Sequence, residues 1–237
     1  MEGKERGLLL VISAPSGGGK GTVLKELFAQ DENLRLSVSA TTRAPRPGEV
    51  HGEQYYFTTK EDFEKMIGAG EMLEYAQYVG NYYGTPKAPV EAWLTEGRDV
   101  VLEIEVQGGA QIKKLCPDCV SIFILPPSME VLEKRLRGRG TEADKVVQSR
   151  LEAAKREIPC AREYDYIVYN DRLEDAVADV QAILRAEKRK YARNSDCIER
   201  VYPNAQTQCK HYHNPPHQRL FPGDCCGKAC QGNCRKG

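Results

Sequence analysis

Gly17-Gly18-Gly19-Lys20, preceded by Ala14-Pro15-Ser16 and followed by Gly21-Thr22, is the stretch of this chain best suited to chemistry. Glycines let backbone N–H groups approach an anion with no Cβ in the way, and Lys20 adds a point positive charge. The apolar run Leu8-Leu9-Leu10-Val11-Ile12-Ser13 lies directly upstream, and a helical pattern, Val23 to Ala29, directly downstream. Strand, glycine-rich loop and helix in that order make a phosphate cradle, because the first N–H groups of a helix have no intrahelical partner and face the anion. The expected ligand is a nucleoside triphosphate. Against the pattern G-x-x-x-x-G-K-[ST] the chain departs twice: Ala14 stands at the first glycine, and Gly21 where a hydroxyl would meet Mg²⁺, with Thr22 one position late. The rival reading, a turn that merely joins a strand to a helix, is outweighed by the upstream strand and Lys20.

A second group lies in Ser39-Ala40-Thr41-Thr42-Arg43-Ala44-Pro45-Arg46-Pro47-Gly48-Glu49, followed by Tyr55. Two guanidinium forks on a proline-stiffened edge can grip a phosphate bidentately, although either arginine alone reads equally as a solvated surface charge. Further on come Glu71-Met72-Leu73-Glu74, Gly80-Asn81-Tyr82-Tyr83-Gly84-Thr85 and Glu103-Ile104-Glu105-Val106-Gln107-Gly108. Singly, these tyrosines read as packing residues and these glutamates as surface acids.

The elements that must hold these groups follow from periodicity. Strands are predicted over Asp99 to Val106, Val120 to Leu125 and Tyr166 to Tyr169, separated by helical patterns at Ser128 to Arg137 and Ala143 to Arg156. A long helix carrying Leu173, Ala176, Val177, Val180, Ile183 and Leu184 follows Asp171, whose side chain is a suitable cap. Alternation of strand and helix implies an α/β fold, a mostly parallel sheet covered on both faces. The stretch from about 37 to 97 is rich in Tyr, Gly, Thr and Pro and, apart from Lys60 to Ile67, lacks a long helical period; it reads as an insertion carrying a binding surface.

With 237 residues and 41% apolar composition the chain can bury a core, and 34 basic against 34 acidic residues give no global field for nucleic acid or an anionic membrane. The apolar run near the start is too short to span a bilayer and leads into the glycine loop, so a cytoplasmic protein is expected, with its nine cysteines reduced. Cys116-Pro117-Asp118-Cys119 has redox or half-zinc spacing, but without a second pair beside it the cysteines read as incidental.

Taken together and in order, the glycine-lysine loop, S-x-T-T-R-x-P-R, G-N-Y-Y-G and G-R-G-T make the chain resemble the guanylate kinase family from about Gly7 to near Tyr191. The resemblance implies a P-loop kinase with an inserted GMP-binding subdomain and a mobile lid, about 133–158, that moves the γ-phosphoryl group of ATP onto GMP with Mg²⁺. It would place the triphosphate on Ala14, Pro15, Ser16, Gly17, Gly18, Gly19, Lys20, Gly21 and Thr22, with Arg135, Arg139 and Arg150 closing over it and Asn170 near adenine. Arg43, Arg46, Tyr55 and Tyr83 would hold the GMP phosphate, and Ser39, Glu74, Thr85 and Glu105 would read guanine. Lys20, Arg43, Arg139 and Arg150 would carry the transfer. Guanine offers two donors, N1–H and its exocyclic amine, to a carboxylate such as Glu74, whereas adenine offers an acceptor at N1. Glu105 departs from the family's usual aspartate by one methylene, and Thr85 replaces a serine found in part of the family. A non-catalytic guanylate-kinase-like module that recognises a phosphorylated partner through Arg43 and Arg46 is the alternative; the intact loop lysine and lid arginines argue against it. Homo-oligomerisation stays open.

The family-like domain is expected to occupy 1–203. The remainder, 204–237, carries Cys209, His211, His213, His217, Cys225, Cys226, Cys230 and Cys234 with almost no aliphatic residues. It cannot build a core unaided. It reads either as an irregular extension or as a segment organised by structural Zn²⁺, although the spacing is not the paired C-x2-C form.

Overall fold

A computed structural model describes residues 5–202 apart from 79 and 139–143. By internal contacts the chain divides into Met1–Arg193 and Asn194–Gly237. In the first unit β1 (Leu9–Ser13) leads into α1 (Lys20–Gln30) and the short β2 (Leu34–Leu36). There follow β3 (Ala40–Thr41), β4 (Tyr56–Phe57), α2 (Lys60–Gly68), β5 (Met72–Tyr78), β6 (Asn81–Pro86) and α3 (Lys87–Thr95). The chain then continues through β7 (Asp99–Glu103), α4 (Val106–Leu115), β8 (Val120–Leu125), α5 (Met129–Arg137), α6 (Asp144–Glu157), β9 (Tyr166–Tyr169) and α7 (Leu173–Lys188). In the second unit the described residues form α8 (Cys197–Val201), whose Arg200 pairs with Asp196 at 3.0 Å.

The main sheet has the order β2-β7-β1-β8-β9, and each of its pairings is parallel. Parallel strands need crossovers and both faces covered, which accounts for their nearly continuous apolar sequences. Along β1 the alternation of side chains sorts the core into two layers. Leu10 and Ile12 join Val23, Leu24 and Leu27 of α1 and Val177, Val180 and Leu184 of α7. Val11, on the other face, joins Val90 and Leu94 of α3 and Ile112 of α4. A third cluster, Leu132, Leu136, Val147, Leu151 and Ala154, holds α5 against α6. A second sheet, β4-β3-β6-β5, is built wholly from 40–86, its β5 and β6 forming an antiparallel hairpin.

Several expectations shift. The strand predicted to reach Val106 ends at Glu103, and Val106 instead opens α4, with Glu105 at its N-cap. The pair Gly108-Gly109 disguises that helix, yet a Cβ on Gly109 would lie 2.5 Å from the Tyr164 hydroxyl, so close packing demands glycine there. Asp171 does not cap α7; Arg172 is the N-cap residue and its side chain makes no capping bond. α2 and α5 have side-chain caps, Thr59 accepting from the Asp62 N–H and Ser128 from the Val131 N–H. The expected lid residues 139–143 and the Cys/His-rich tail, with its zinc reading, lie outside the described residues. Among the described residues no helix is long and apolar enough to cross a membrane.

Candidate active site

The loop between β1 and α1 owes its shape to glycine. Gly17 and Gly19 have φ of 86° and 90°, and Gly19 is the N-cap of α1 without a side-chain cap, so the first N–H groups of the helix stay open to a ligand. A Cβ on Gly17 would stand 2.6 Å from Leu136 Cδ2, and one on Gly19 2.2 Å from Asn170 Nδ2. The loop is therefore pressed from outside by α5 and by the end of β9. Asn170 Nδ2 donates to the Gly18 carbonyl at 2.9 Å, so this amide ties down the loop rather than standing free toward a base. Arg135 Nη2 donates to the Asn170 carbonyl at 2.8 Å, while its Nη1 is buried with no hydrogen-bond partner.

Lys20 projects from the first turn of α1, with Nζ 3.7 Å from Glu103 Oε1 and 3.4 Å from the Ile104 carbonyl. Burial pushes its pKa down, and the carboxylates of Glu103 and Glu105 work against that push. On the far side of the loop, α6 reaches in: Arg150 Nε donates to Ser16 Oγ, and the Ser16 N–H donates to Glu157 Oε2, each at 2.9 Å. These groups surround a cavity of about 730 Å³ lined by the whole run Ala14 to Thr22 together with Glu105, Arg150 and Glu157.

A second cavity, of about 560 Å³, also has Lys20 and Glu105 in its wall. Ser39, Tyr55, Glu74, Tyr83, Gln107 and Gly108 are among its other lining residues. Glu74 is 7% exposed and accepts from Thr85 Oγ1 at 2.7 Å across the β5–β6 hairpin. Burial raises its pKa, and the bonds from Thr85 only partly oppose this. Such a carboxylate is an acceptor held ready for donors, since an unpaired buried charge is costly.

Neither Arg43 nor Arg46 is among the residues that line this cavity. Arg43 lies over the Tyr55 ring, 5.4 Å from its centroid, and Tyr55 meets Tyr83 edge-on with centroids 6.0 Å apart. Arg43 Nη2 pairs with Glu49 Oε1 at 2.8 Å, and the Arg46 backbone N–H donates to Glu49 Oε2 at 2.7 Å. Hydrogen bonding to Glu49 holds the Arg43 guanidinium above its ordinary pKa, and Arg43 in turn holds the Glu49 carboxyl below its own. The Arg46 side chain is exposed. An arriving phosphate dianion would compete with Glu49 for Arg43.

Of the predicted residues, the structure gathers Ala14 to Thr22, Arg150 and Glu105 at one cavity and Ser39, Tyr55, Glu74, Tyr83 and Glu105 at the other. Thr85 stands behind Glu74, Arg43 behind Tyr55, and Arg135 and Asn170 behind the loop. Arg139 lies outside the described residues. Sequence reading missed Glu49, Glu103 and Glu157; the seven-residue spacing of Arg150 and Glu157 within one helix was the signal for the last. Among the described residues no group of three or more His, Cys, Asp or Glu is arranged to hold a metal ion. Cys116 and Cys119 are free thiols, and burial pushes Cys119 up to about 11, well away from thiolate chemistry.

Comparison with known proteins points the same way. The family model described as guanylate kinase matches residues 6–187. The chain is 50% identical over 194 residues to a guanylate kinase of Clostridioides difficile, covering 82% of this chain and 95% of that one. It is 56% identical over 184 residues to one of Lactococcus lactis, covering 78% and 90%. The crystal structure of guanylate kinase from Anaplasma phagocytophilum superposes with a TM-score of 0.66 at 36% identity, covering 84% of this chain and 97% of that one.

Proposed function

The chain belongs to the guanylate kinase family, and we propose that its two cavities divide the family's reaction, the glycine loop taking the donor nucleotide and the cavity around Glu74 the acceptor. It transfers the γ-phosphoryl group of ATP to GMP, giving ADP and GDP, in purine nucleotide metabolism and GMP recycling. The observation that carries the division of labour is the shared wall: Lys20 and Glu105 border both cavities, so a group held in one is adjacent to a group held in the other.

On the donor side the N–H groups of Gly17, Gly19, Lys20 and Gly21 receive the phosphates of ATP, the Gly18 N–H being held by the Pro15 carbonyl at 2.8 Å, and Lys20 neutralises charge where the phosphoryl group passes. On the acceptor side Arg43, Arg46, Tyr55 and Tyr83 hold the GMP phosphate, while Glu74 accepts from the guanine N1–H and amine, with Ser39, Thr85 and Glu105 beside it. An oxygen of the GMP phosphate attacks the γ-phosphorus, the bond to the β–γ bridging oxygen breaks, and ADP leaves. The side chains form no covalent bond in this step; positioning and charge carry the rate.

Mg²⁺ fits the cavity by donor chemistry: it favours hard oxygens and keeps much of its water, and Glu105 and Thr22, two of the oxygen-bearing side chains that line the cavity, would hold it through that water. With ATP it would supply charge neutralisation for the transferring phosphoryl group. The segment 133–158 acts as the lid, its Arg135, Arg139 and Arg150 excluding water from the reacting phosphates. We place the activity in the cytoplasm.

Turnover measured with GMP, AMP, UMP and CMP tests the assignment. GMP should dominate by orders of magnitude, because none of the other three bases offers the buried Glu74 carboxylate two adjacent donors. Equal turnover of AMP would reject the base contacts, and no turnover of any nucleotide would favour the binding-module reading.

A further inference from the structure

Two side chains of one helix converge on one loop residue. Arg150 and Glu157 both belong to α6, and they take the hydroxyl and the backbone N–H of Ser16 respectively, each at 2.9 Å. Seven residues make about two turns, so the two share a face, and at 1.5 Å per residue Arg150 lies about 10 Å further along the helix. Glu157 is the last residue of α6 and hands the chain to the 3₁₀ turn Ile158–Glu163. Val147, Leu151 and Ala154 of α6 pack on Leu132 and Leu136 of α5 in a cluster distinct from the two layers of the main sheet. α5 and α6 are thus an arm with its own small core. Ser16 is bonded to it at two points, one at the root of α6 and one further out.

We propose that Glu157 is a positioning residue of the phosphate loop, a fixed anchor that keeps the Ser16 N–H while Arg150 exchanges the Ser16 hydroxyl for the incoming triphosphate. The two groups differ in what the ligand offers them. A guanidinium gains more from a phosphate anion than from a neutral hydroxyl, so nucleotide entry draws Arg150 away. A carboxylate gains nothing from an anion, and Glu157 keeps the bond it has. That bond fixes the shoulder of the loop next to Gly17, whose positive φ sets the direction of the N–H groups that follow. The Glu157 charge also joins Glu103 and Glu105 in favouring the protonated form of Lys20 against burial. This rests on the glycine-loop cavity being the triphosphate site.

Glu157→Ala and Glu157→Gln in the full chain decide it, by steady-state kinetics with each substrate varied and by amide hydrogen exchange of the loop without nucleotide. For Glu157→Ala the KM for ATP should rise about ten- to a hundredfold, the equivalent of one charge-assisted hydrogen bond, with the KM for GMP within about twofold. Exchange at the Ser16 and Gly18 N–H groups, which Glu157 and the Pro15 carbonyl hold, should accelerate about tenfold or more. Glu157→Gln keeps an acceptor but no charge; it should recover most of the exchange protection and only part of the ATP KM. The proposal is overturned if exchange and the ATP KM stay at wild-type values, if exchange quickens while the ATP KM does not move, or if both KM values rise by one common factor. If the alanine variant does not fold, the glutamine variant decides alone, by a selective rise in the ATP KM. Absence of all turnover in the wild type would instead count against the kinase reading, and the exchange data would still judge the anchor.

Discussion

Replacing Glu74 by glutamine should separate stability from function in opposite directions. The carboxylate is buried, accepts one bond from Thr85 Oγ1 at 2.7 Å, and would take two donors from guanine. Glutamine can still accept from Thr85 and from one guanine donor, but it turns its own N–H₂ toward the other. A hydrogen bond to a charged group counts for about 1.5–3 kcal/mol, and a donor facing a donor costs about as much again. The sum, about 3–6 kcal/mol, is a fall of about 10²–10⁴ in kcat/KM for GMP. AMP, which can pair with an amide, should lose nothing. Stability runs the other way because the folded-state pKa of Glu74 is raised by burial. Its contribution is fully present below the unfolded carboxylate pKa and is lost as pH rises through the folded value. Relative to wild type, Glu74→Gln should therefore gain in unfolding midpoint as pH is raised across that interval, then hold the gain at higher pH. The same sign makes the wild-type KM for GMP rise as pH falls through the raised pKa. A coupled assay with GMP and AMP, alongside thermal unfolding at about pH 5 and about pH 8, measures both. GMP turnover of the variant within about threefold of wild type would refute the reasoning, whatever the melting curves show.

Lys20→Ala should lower phosphoryl transfer by about a thousandfold or more, with an unfolding midpoint close to wild type, because its contacts to Glu103 and Ile104 are long and its ammonium is desolvated; retained turnover would remove the cradle. Gly19→Ala places a Cβ 2.2 Å from Asn170 Nδ2 at φ 90°. Left-handed strain of about 1–2 kcal/mol plus a lost bond of about 1 kcal/mol should lower the melting temperature by about 4–12 °C, read by calorimetry. Gly21→Ser should fold normally, since a Cβ there meets nothing within 4 Å, and should lower the Mg²⁺ concentration for half-maximal rate; an unchanged Mg²⁺ titration would show that a hydroxyl at this position has no role.

Much of the scaffold was legible because burial leaves a plain mark on composition. β1, β8 and β9 appear in the sequence as apolar runs and α7 as an apolar stripe, and the structure places the strands at the centre and one edge of the sheet with α7 packed against one face. α4 was hidden by Gly108-Gly109, which local propensity counts as breakers, although packing against Tyr164 requires glycine at Gly109. The overlong β7 has a similar cause: the apolar pattern runs through Ile104, but there the chain turns, and its carbonyl accepts from Ser13 Oγ at 2.9 Å. At the site, the order of motifs told which residues gather. It could not tell which of them are already engaged. Arg43 held by Glu49, Asn170 spent on Gly18 and Ser16 gripped by α6 are long-range or conformational pairings that leave no local pattern.

The residues that border both cavities are a lysine and a glutamate. A barrier of that kind has a thickness set by whatever leans on it from either side. Guanosine, lacking its phosphate, would settle in the far chamber yet leave a gap at the lysine tip that a solvent molecule can enter. Spillage of ATP to inorganic phosphate with guanosine present thus gauges how well the partition is sealed, a quantity that GMP itself conceals.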